Sequence, residues 1–459
     1  MNRTENTPDN PLGTEPLGTL MLRFCIPSVI SMLVQMFYNL VDQIFIGQGV
    51  GYLGNAATSI ILPQTTIVMS IGQLIGCGCA AYASLNMGKG NYKKAVGGVG
   101  TAITATFSFG IILAVLFEIL MAPLCTLFGA TVDSMPYALD YGRIIAMGFP
   151  FYICATVFTN IFRTDGRPNV ALFGMLIGFT VNMILDPLFV LVFHWGVKGA
   201  AWATILGQIM NTLYYSCNLR RCKVLKLTKT DFCINFRVLG NLSRLGVSAF
   251  ITQIESVFVQ LVTNNILVHY GSLSKYGPDI PMAAYGVTCK VMIIFGGIAT
   301  GIIVGTQPIL GFNYGSGQYD RVKKTYRNVL TISTTVLVAA WFLFEFAPGA
   351  VVHLFGQDSA LYEEFAIKSL RIFMLICPAL GFINVTPIFF QSIGKPVQAT
   401  ILSVSRQLVF LLLSTVIMSY LIGVEGVLWS GPISHALSTV LTLFMVTYYW
   451  KKIFNTELK

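Results

Sequence analysis

Apolar residues run along this chain in long blocks separated by short polar interruptions. A helix needs about 20 residues to cross a bilayer. Twelve blocks meet that length: 20–47, 56–86, 95–121, 135–162, 169–193, 197–219, 243–270, 282–312, 325–347, 361–392, 399–422 and 426–450. They lack two-residue alternation and are too long for barrel strands, so the pattern predicts helices. Several exceed the minimum, which implies tilt or extension beyond the hydrocarbon. The fold class expected is an all-α integral membrane protein with twelve transmembrane helices.

Charge between the blocks orients them. Of the 29 Lys and Arg, 22 fall in the tails and in alternate loops. These are Lys89, Lys93, Lys94, Arg163 and Arg167; the run Arg220, Arg221, Lys223, Lys226, Lys229, Arg237 and Arg244; then Arg321, Lys323, Lys324, Arg327 and Lys395; and, in the tails, Arg3, Arg23, Lys451, Lys452 and Lys459. The opposite loops hold Lys198 and Lys275. By the positive-inside rule both termini and the 220–242 loop are cytoplasmic. The expected location is the cytoplasmic (inner) membrane, crossed many times.

The chain also repeats itself at an offset of 227–228. Phe117-Glu118 recurs as Phe344-Glu345, Phe128-Gly129 as Phe355-Gly356, and Gly88-Lys89-Gly90 as Gly315-Ser316-Gly317. Gly196, Gly199 and Trp202 recur as Gly423, Gly426 and Trp429; Arg143, Pro150, Gly166 and Pro168 recur as Arg371, Pro378, Gly394 and Pro396. Six helices per unit is an even number, so both units enter the membrane in the same direction, as in parallel-repeat transporters. The organisation expected is a cytoplasmic tail 1–19, a six-helix lobe 20–219, a cytoplasmic linker 220–242, a second six-helix lobe 243–450 and a tail 451–459. Two such pseudo-symmetric bundles predict a cleft between them and alternating access.

Composition narrows the function. The chain is 55% hydrophobic and 10% charged, against about 25% charged in a soluble domain. That excludes a disordered chain, a secreted disulfide scaffold and, despite a net charge of +10, a nucleic-acid partner. The ten cysteines have no CxxC spacing and the four histidines lie far apart, so a zinc site is not expected. No GxxxxGK[ST] run offers ATP drive. The polar N-terminus Met1–Leu17 lacks a signal-peptide pattern.

A carboxylate at a helix centre costs roughly 2.5–3.5 kcal/mol on insertion scales, so acidic residues inside spans are functional candidates. Asp42 lies about 8 Å inward from the outer end of its span at 1.5 Å per residue; Asp186 and Thr204 each lie about 10 Å inward from theirs. Tyr38 shares a helix face with Asp42, and Asn182 shares one with Asp186. Pro187 frees the carbonyl of Met183. Two carboxylates with neutral oxygens in a low-dielectric pocket either take up a proton near neutrality or ligate Na⁺. Glu255 lies near the midplane of the seventh span, about 18 Å from its inner end. It suits a substrate or second coupling site, or a pair with Lys290. The chain has 17 Met, 33 Phe and 19 Tyr, and a cleft lined by Met and aromatic rings accommodates flat apolar cations.

The run Asn182-Met183-Ile184-Leu185-Asp186-Pro187, the following Gly196-x-x-Gly199-Ala200-Ala201, and Asp42 followed by Gly54-Asn55-Ala56 resemble the multidrug and toxic compound extrusion (MATE) family. The likeness covers nearly the whole chain and is greatest to bacterial MepA-like members, near the DinF-type branch. It implies a non-enzymatic secondary exporter of diverse, often cationic drugs in antiport with Na⁺ or H⁺. It needs no cofactor beyond that ion, no metal beyond a Na⁺ at the coupling site, and is expected to be a monomer. It also implies a cation site at Tyr38, Asp42, Asn182, Asp186 and Thr204, and a helix-1 kink at Pro27. The alternative is a lipid-linked precursor or metabolite flippase on a related fold. That reading expects a basic central cavity, whereas the mid-membrane charges here are mainly acidic.

Overall fold

The protein is described by a computed structural model over residues 10–222, 224–353 and 360–455. Arg3, Lys223, Phe355-Gly356, Lys459 and the first nine residues lie outside the described residues. Among the described residues the chain is helical, without strands. The helices are α1 (Pro11–Thr14), α2 (Leu17–Val50), α3 (Tyr52–Gly88), α4 (Tyr92–Leu127), α5 (Met135–Thr164), α6 (Pro168–Pro187), α7 (Val197–Leu219), α8 (Phe236–Ser272), α9 (Asp279–Gly315), α10 (Tyr319–Phe346), α11 (Pro348–His353), α12 (Ala360–Phe373), α13 (Ala379–Ser392), α14 (Pro396–Val404), α15 (Leu412–Ile422) and α16 (Glu425–Asn455).

Ten continuous helices among the described residues are long and apolar enough to cross a membrane. Two further predicted spans complete a count consistent with twelve. One is α7, a 23-residue helix diluted by Lys198, Gln208, Asn211 and Asn218. The other, 361–392, is divided into α12 and α13 at Met374–Pro378, where the proline cannot donate to the preceding turn. At the other extreme α8 begins at Phe236, inside the basic segment expected to be linker. Its first turns carry Arg237, Asn241 and Arg244, which hydropathy alone cannot assign to a helix.

The chain forms two compact units. One comprises Met1–Gln253 with Gly305–Gln318 and Ser392–Gly394; the other comprises Ile254–Val304, Tyr319–Gln391 and Lys395–Lys459. In a bilayer, apolar side chains gain little by leaving lipid, so helices associate through close packing of small residues. The core of the first unit follows that rule. Ala138, Ala146, Ala200 and Ala201 are fully buried, and Phe117 meets Phe149 edge-on at 5.5 Å. The C-terminal end of α9 belongs to this unit, where Asn313 Nδ2 donates to the Leu12 carbonyl at 2.9 Å. The core of the second unit gathers Leu337, Phe344, Phe365, Leu370, Phe373 and Val427.

The internal repeat is visible in backbone geometry. Gly90 and Gly317, Gly166 and Gly394, and Gly196 and Gly423 all have positive φ, between 59° and 82°. The first two pairs terminate helices in the same way: the residue after each glycine donates back over a wide turn, as in Asn91 N to Asn86 O and Gln318 N to Asn313 O. The matched glycines are therefore equivalent stop signals.

Tertiary structure re-pairs the charges near the helix ends. Asp140 bonds Lys198 at 3.2 Å instead of Arg143, which reaches Glu118 at 3.4 Å. Glu364 takes Lys275 at 2.8 Å, and Lys368 takes Glu425 at 2.6 Å. These half-exposed pairs each contribute about 0–1 kcal/mol. Both lysines of the cation-poor loops, Lys198 and Lys275, are thus held by acids. Arg163, expected in a loop, is instead buried in the last turn of α5.

Candidate functional site

The first unit brings five predicted polar residues into one cluster. At about 3.6 residues per turn, Tyr38 and Asp42 share one face of α2, and Gly178, Asn182 and Asp186 share one face of α6. Asp186, Asn182, Asp42 and Thr204 are at most 8% exposed. Tyr38 OH donates to Thr204 Oγ1 at 3.3 Å, and Asn182 Nδ2 donates to the same oxygen at 3.4 Å. Thr204 therefore spends its lone pairs on two donors from two other helices. Asp42 and Asp186 are direct side-chain neighbours, and Asn182 lies beside Asp186.

The carboxyl oxygens are the least satisfied atoms of the cluster. Asp42 Oδ1 and both oxygens of Asp186 are buried without a hydrogen-bond partner. A buried charge that is neither paired nor hydrogen-bonded is costly. Beside Tyr38, Asn182 and Thr204, which bond one another, the two acids leave three carboxyl oxygens to hold an ion. A proton shared between the carboxyls satisfies them, and so does a hard monovalent cation.

Local backbone geometry explains how these atoms meet. Pro187 ends the regular hydrogen bonding of α6 directly after Asp186, and Leu188–Val192 continue as a wider π-helical turn closed by Phe193 N to Leu188 O. Such turns occur often at functional positions. Sequence reading had run this span straight to Phe193. Close approach of α6 to α7 supplies the rest. A Cβ on Gly207 would lie 2.7 Å from the Gly178 carbonyl oxygen, one turn from both Asn182 and Thr204.

That contact yields a first prediction. Gly207→Val forces α6 and α7 apart, costs about 1–3 kcal/mol as overpacking, and disrupts the Asn182–Thr204 contact. Gly97→Val, whose Cβ would meet open space, serves as control. Measured thermal stability and efflux should fall for Gly207→Val only. Equal behaviour of the two variants would remove the close approach from the site.

Sequence reading missed two contributors. Tyr141, buried on α5, stands close enough to Asp42 and Asp186 for their charges to interact with it. No spacing signal marks it, because α5 packs against several helices at once. The second is the pair Gly178 and Gly207. Its signal was the spacing Gly174-x-x-x-Gly178, which ends one turn before Asn182.

Pro27 is buried within an uninterrupted α2, and Ser31 Oγ donates to its carbonyl at 2.7 Å. Glu255 is not part of this cluster. It lies in the second unit, 2% exposed, with both carboxyl oxygens lacking a partner. The cation whose charge reaches it is Arg406, within the π-helical stretch Ser405–Leu411, while Lys290 is exposed. Arg406 Nη1 donates to Asn384 Oδ1 at 2.5 Å, and Ser434 Oγ donates to the Arg406 carbonyl at 3.2 Å. His435 is buried next to Arg406, with Nδ1 unpartnered.

The chain is similar to known transporters in sequence and in fold. The multidrug export protein MepA of Staphylococcus aureus strain MRSA252 is 27% identical over 435 residues, 94% of each chain. MepA of Staphylococcus haemolyticus strain JCSC1435 is 25% identical over 433 residues, 93% of this chain and 92% of the other. Among solved structures, an outward-facing multidrug resistance MATE family transporter of the MOP superfamily superposes with a TM-score of 0.89. It shares 22% identity and covers 98% of this chain and 99% of its own. A MOP superfamily transporter from Pyrococcus furiosus gives a TM-score of 0.88 at 22% identity, over 97% and 99% of the two chains. The profile of the MatE family matches in two blocks, residues 27–188 and 249–417, one in each half of the internal repeat. A multi-pass helical membrane protein with a duplicated architecture, matched by that profile over most of its length, belongs to the MatE family.

Proposed function

We propose that this chain is a secondary active multidrug exporter. It moves organic, often cationic, drugs by alternating access in antiport with Na⁺ or H⁺. The observation that carries the reading is the buried pair Asp42 and Asp186 with three orphaned oxygens. Inside a membrane such a pair is costly, which marks it as a functional site by default. The likeness to MepA, a multidrug export protein, supports the class of cargo.

Tyr38, Asp42, Asn182, Asp186 and Thr204 form the coupling set. Either ion lowers the charge of the pair by one, relieves the repulsion between the two acids and tightens α2 against α6 and α7. Loss of the ion restores the repulsion. Pro27 lies fifteen residues before Asp42, about 22 Å along the same helix. Its missing N–H leaves one backbone bond of α2 unmade, so a kink there is the cheapest way for α2 to answer the change. We read Glu255 as the counter-charge of Arg406 and assign coupling to the first unit alone. From the positive-rich loops we read both termini as cytoplasmic and the protein as a monomer of the bacterial inner membrane.

Dye efflux from reconstituted vesicles tests this. Ethidium should leave against its gradient when a Na⁺ or a pH gradient is imposed alone, and without ATP. A Na⁺ gradient that drives efflux at equal pH excludes strict proton coupling. Efflux indifferent to both gradients rejects the antiport.

A further inference from the structure

The segment between α7 and α8, residues 220–235, has two faces with different chemistry. Its inner face is fixed to the first unit. Asp165 accepts the N–H groups of Val224 and Leu225 on one oxygen, both at 2.9 Å. Cys222 and Leu225 are buried. Thr101 Oγ1 donates to the Cys233 carbonyl at 3.2 Å. The Asp231 carbonyl lies so close to Gly100 that a Cβ there would meet it at 2.1 Å. At its start Arg167 binds Asn218 through two nitrogens, at 3.2 and 3.3 Å. The segment is therefore a strap clamped to the helix ends, not a free linker.

Its outer face is basic and aromatic. Arg220, Arg221, Lys226 and Arg237 are exposed. Phe236 is 81% exposed and Phe232 39%. Thr228 donates its N–H and hydroxyl to Asp231 Oδ2 at 2.8 and 2.6 Å, which holds that carboxyl below the usual carboxylate range; the charge of Lys93 acts on it in the same direction. One fixed negative charge thus stands against four outward cations. The strap joins α7 to α8 on the side that the basic loops mark as cytoplasmic and packs on the N-terminal part of α4 at Gly100 and Thr101, beside the membrane surface. Aromatic rings favour the interfacial layer, and cations within a Debye length of an anionic surface are attracted to it.

We propose that the outward face of this strap, from Arg220 to Arg237, is a docking surface for anionic phospholipid headgroups. The clamp keeps the cations in place before lipid arrives, so little ordering cost opposes binding. Phe232 and Phe236 enter the interfacial layer beside the phosphates. This inference goes beyond the transport reading and does not depend on the coupling site.

The test is lipid retention by the full chain. Protein in nanodiscs of equimolar phosphatidylglycerol and phosphatidylcholine is released into the gas phase, and the lipids still bound are weighed. The wild type should retain phosphatidylglycerol preferentially. The variant R220Q/R221Q/K226Q/R237Q should lose that preference by about tenfold, since each basic residue near an anionic surface contributes on its own. R220K/R221K/R237K should keep it, which separates lost charge from lost folding. K323Q/K324Q/R327Q, neutralised elsewhere, should also keep it. The proposal fails if the wild type shows no preference, if the four-Gln variant keeps it, or if the control loses it equally, in which case positive charge acts diffusely.

Discussion

Asp42→Asn and Asp186→Asn each abolish gradient-driven dye extrusion while the protein still inserts and stays folded. Asn keeps the shape of Asp and removes a charge whose insertion cost is roughly 2.5–3.5 kcal/mol, so neither variant is expected to accumulate poorly. What is lost is the exchangeable charge. A one-unit pH gradient supplies about 1.4 kcal/mol per proton, enough to support about a tenfold drug gradient at one proton per drug. With one acid gone the pair no longer cycles its charge, and that ratio falls to one. Thr204→Val gives an intermediate result, because it removes the oxygen that Tyr38 and Asn182 share but leaves both carboxyls. The measurement is the steady-state dye ratio across vesicles at matched protein content. Normal extrusion by both Asn variants would show that the acids serve packing alone.

The spans were legible because burial in lipid demands apolar runs of a fixed length, and a hydropathy pattern reports that demand directly. The site was legible for a second reason. Tyr38 with Asp42, and Asn182 with Asp186, sit four residues apart, and counting from span ends put them at one depth. What sequence did not carry was tertiary. The π-helical turn after Pro187 depends on the packing of Leu188–Val192, and the division at Met374–Pro378 lay inside a run as apolar as its neighbours. Tyr141 joins the acids only because α5 packs beside them. The ion pairs follow the same cause. Asp140 and Arg143 stand three residues apart on one helix, a spacing that permits a pair, yet Lys198 and Glu118 from other elements take them.

Arg406 is the case where that gap matters most for function, because it changes what Glu255 is expected to do. A lone buried Glu in a transporter reads as an ion site. A buried Glu that feels the charge of a half-buried Arg, without an ion pair between them, reads as a compensated charge. Removing one member leaves an uncompensated charge, at a cost up to the about 3–5 kcal/mol of a fully buried pair, whereas removing both is often neutral. Glu255→Gln alone should therefore lower thermal stability and folded yield strongly, as should Arg406→Gln, which also strips Asn384 of its donor. The double variant Glu255→Gln/Arg406→Gln should recover most of the stability and, with it, efflux driven by the same gradient as the wild type. The non-additivity between singles and double is the diagnostic quantity. A double variant that is stable but inert would make Glu255 a working member of the transport cycle. Recovery of transport confines coupling to Asp42 and Asp186, and it predicts that a single class of ion-binding event, not two, sets the dependence of efflux on the driving ion.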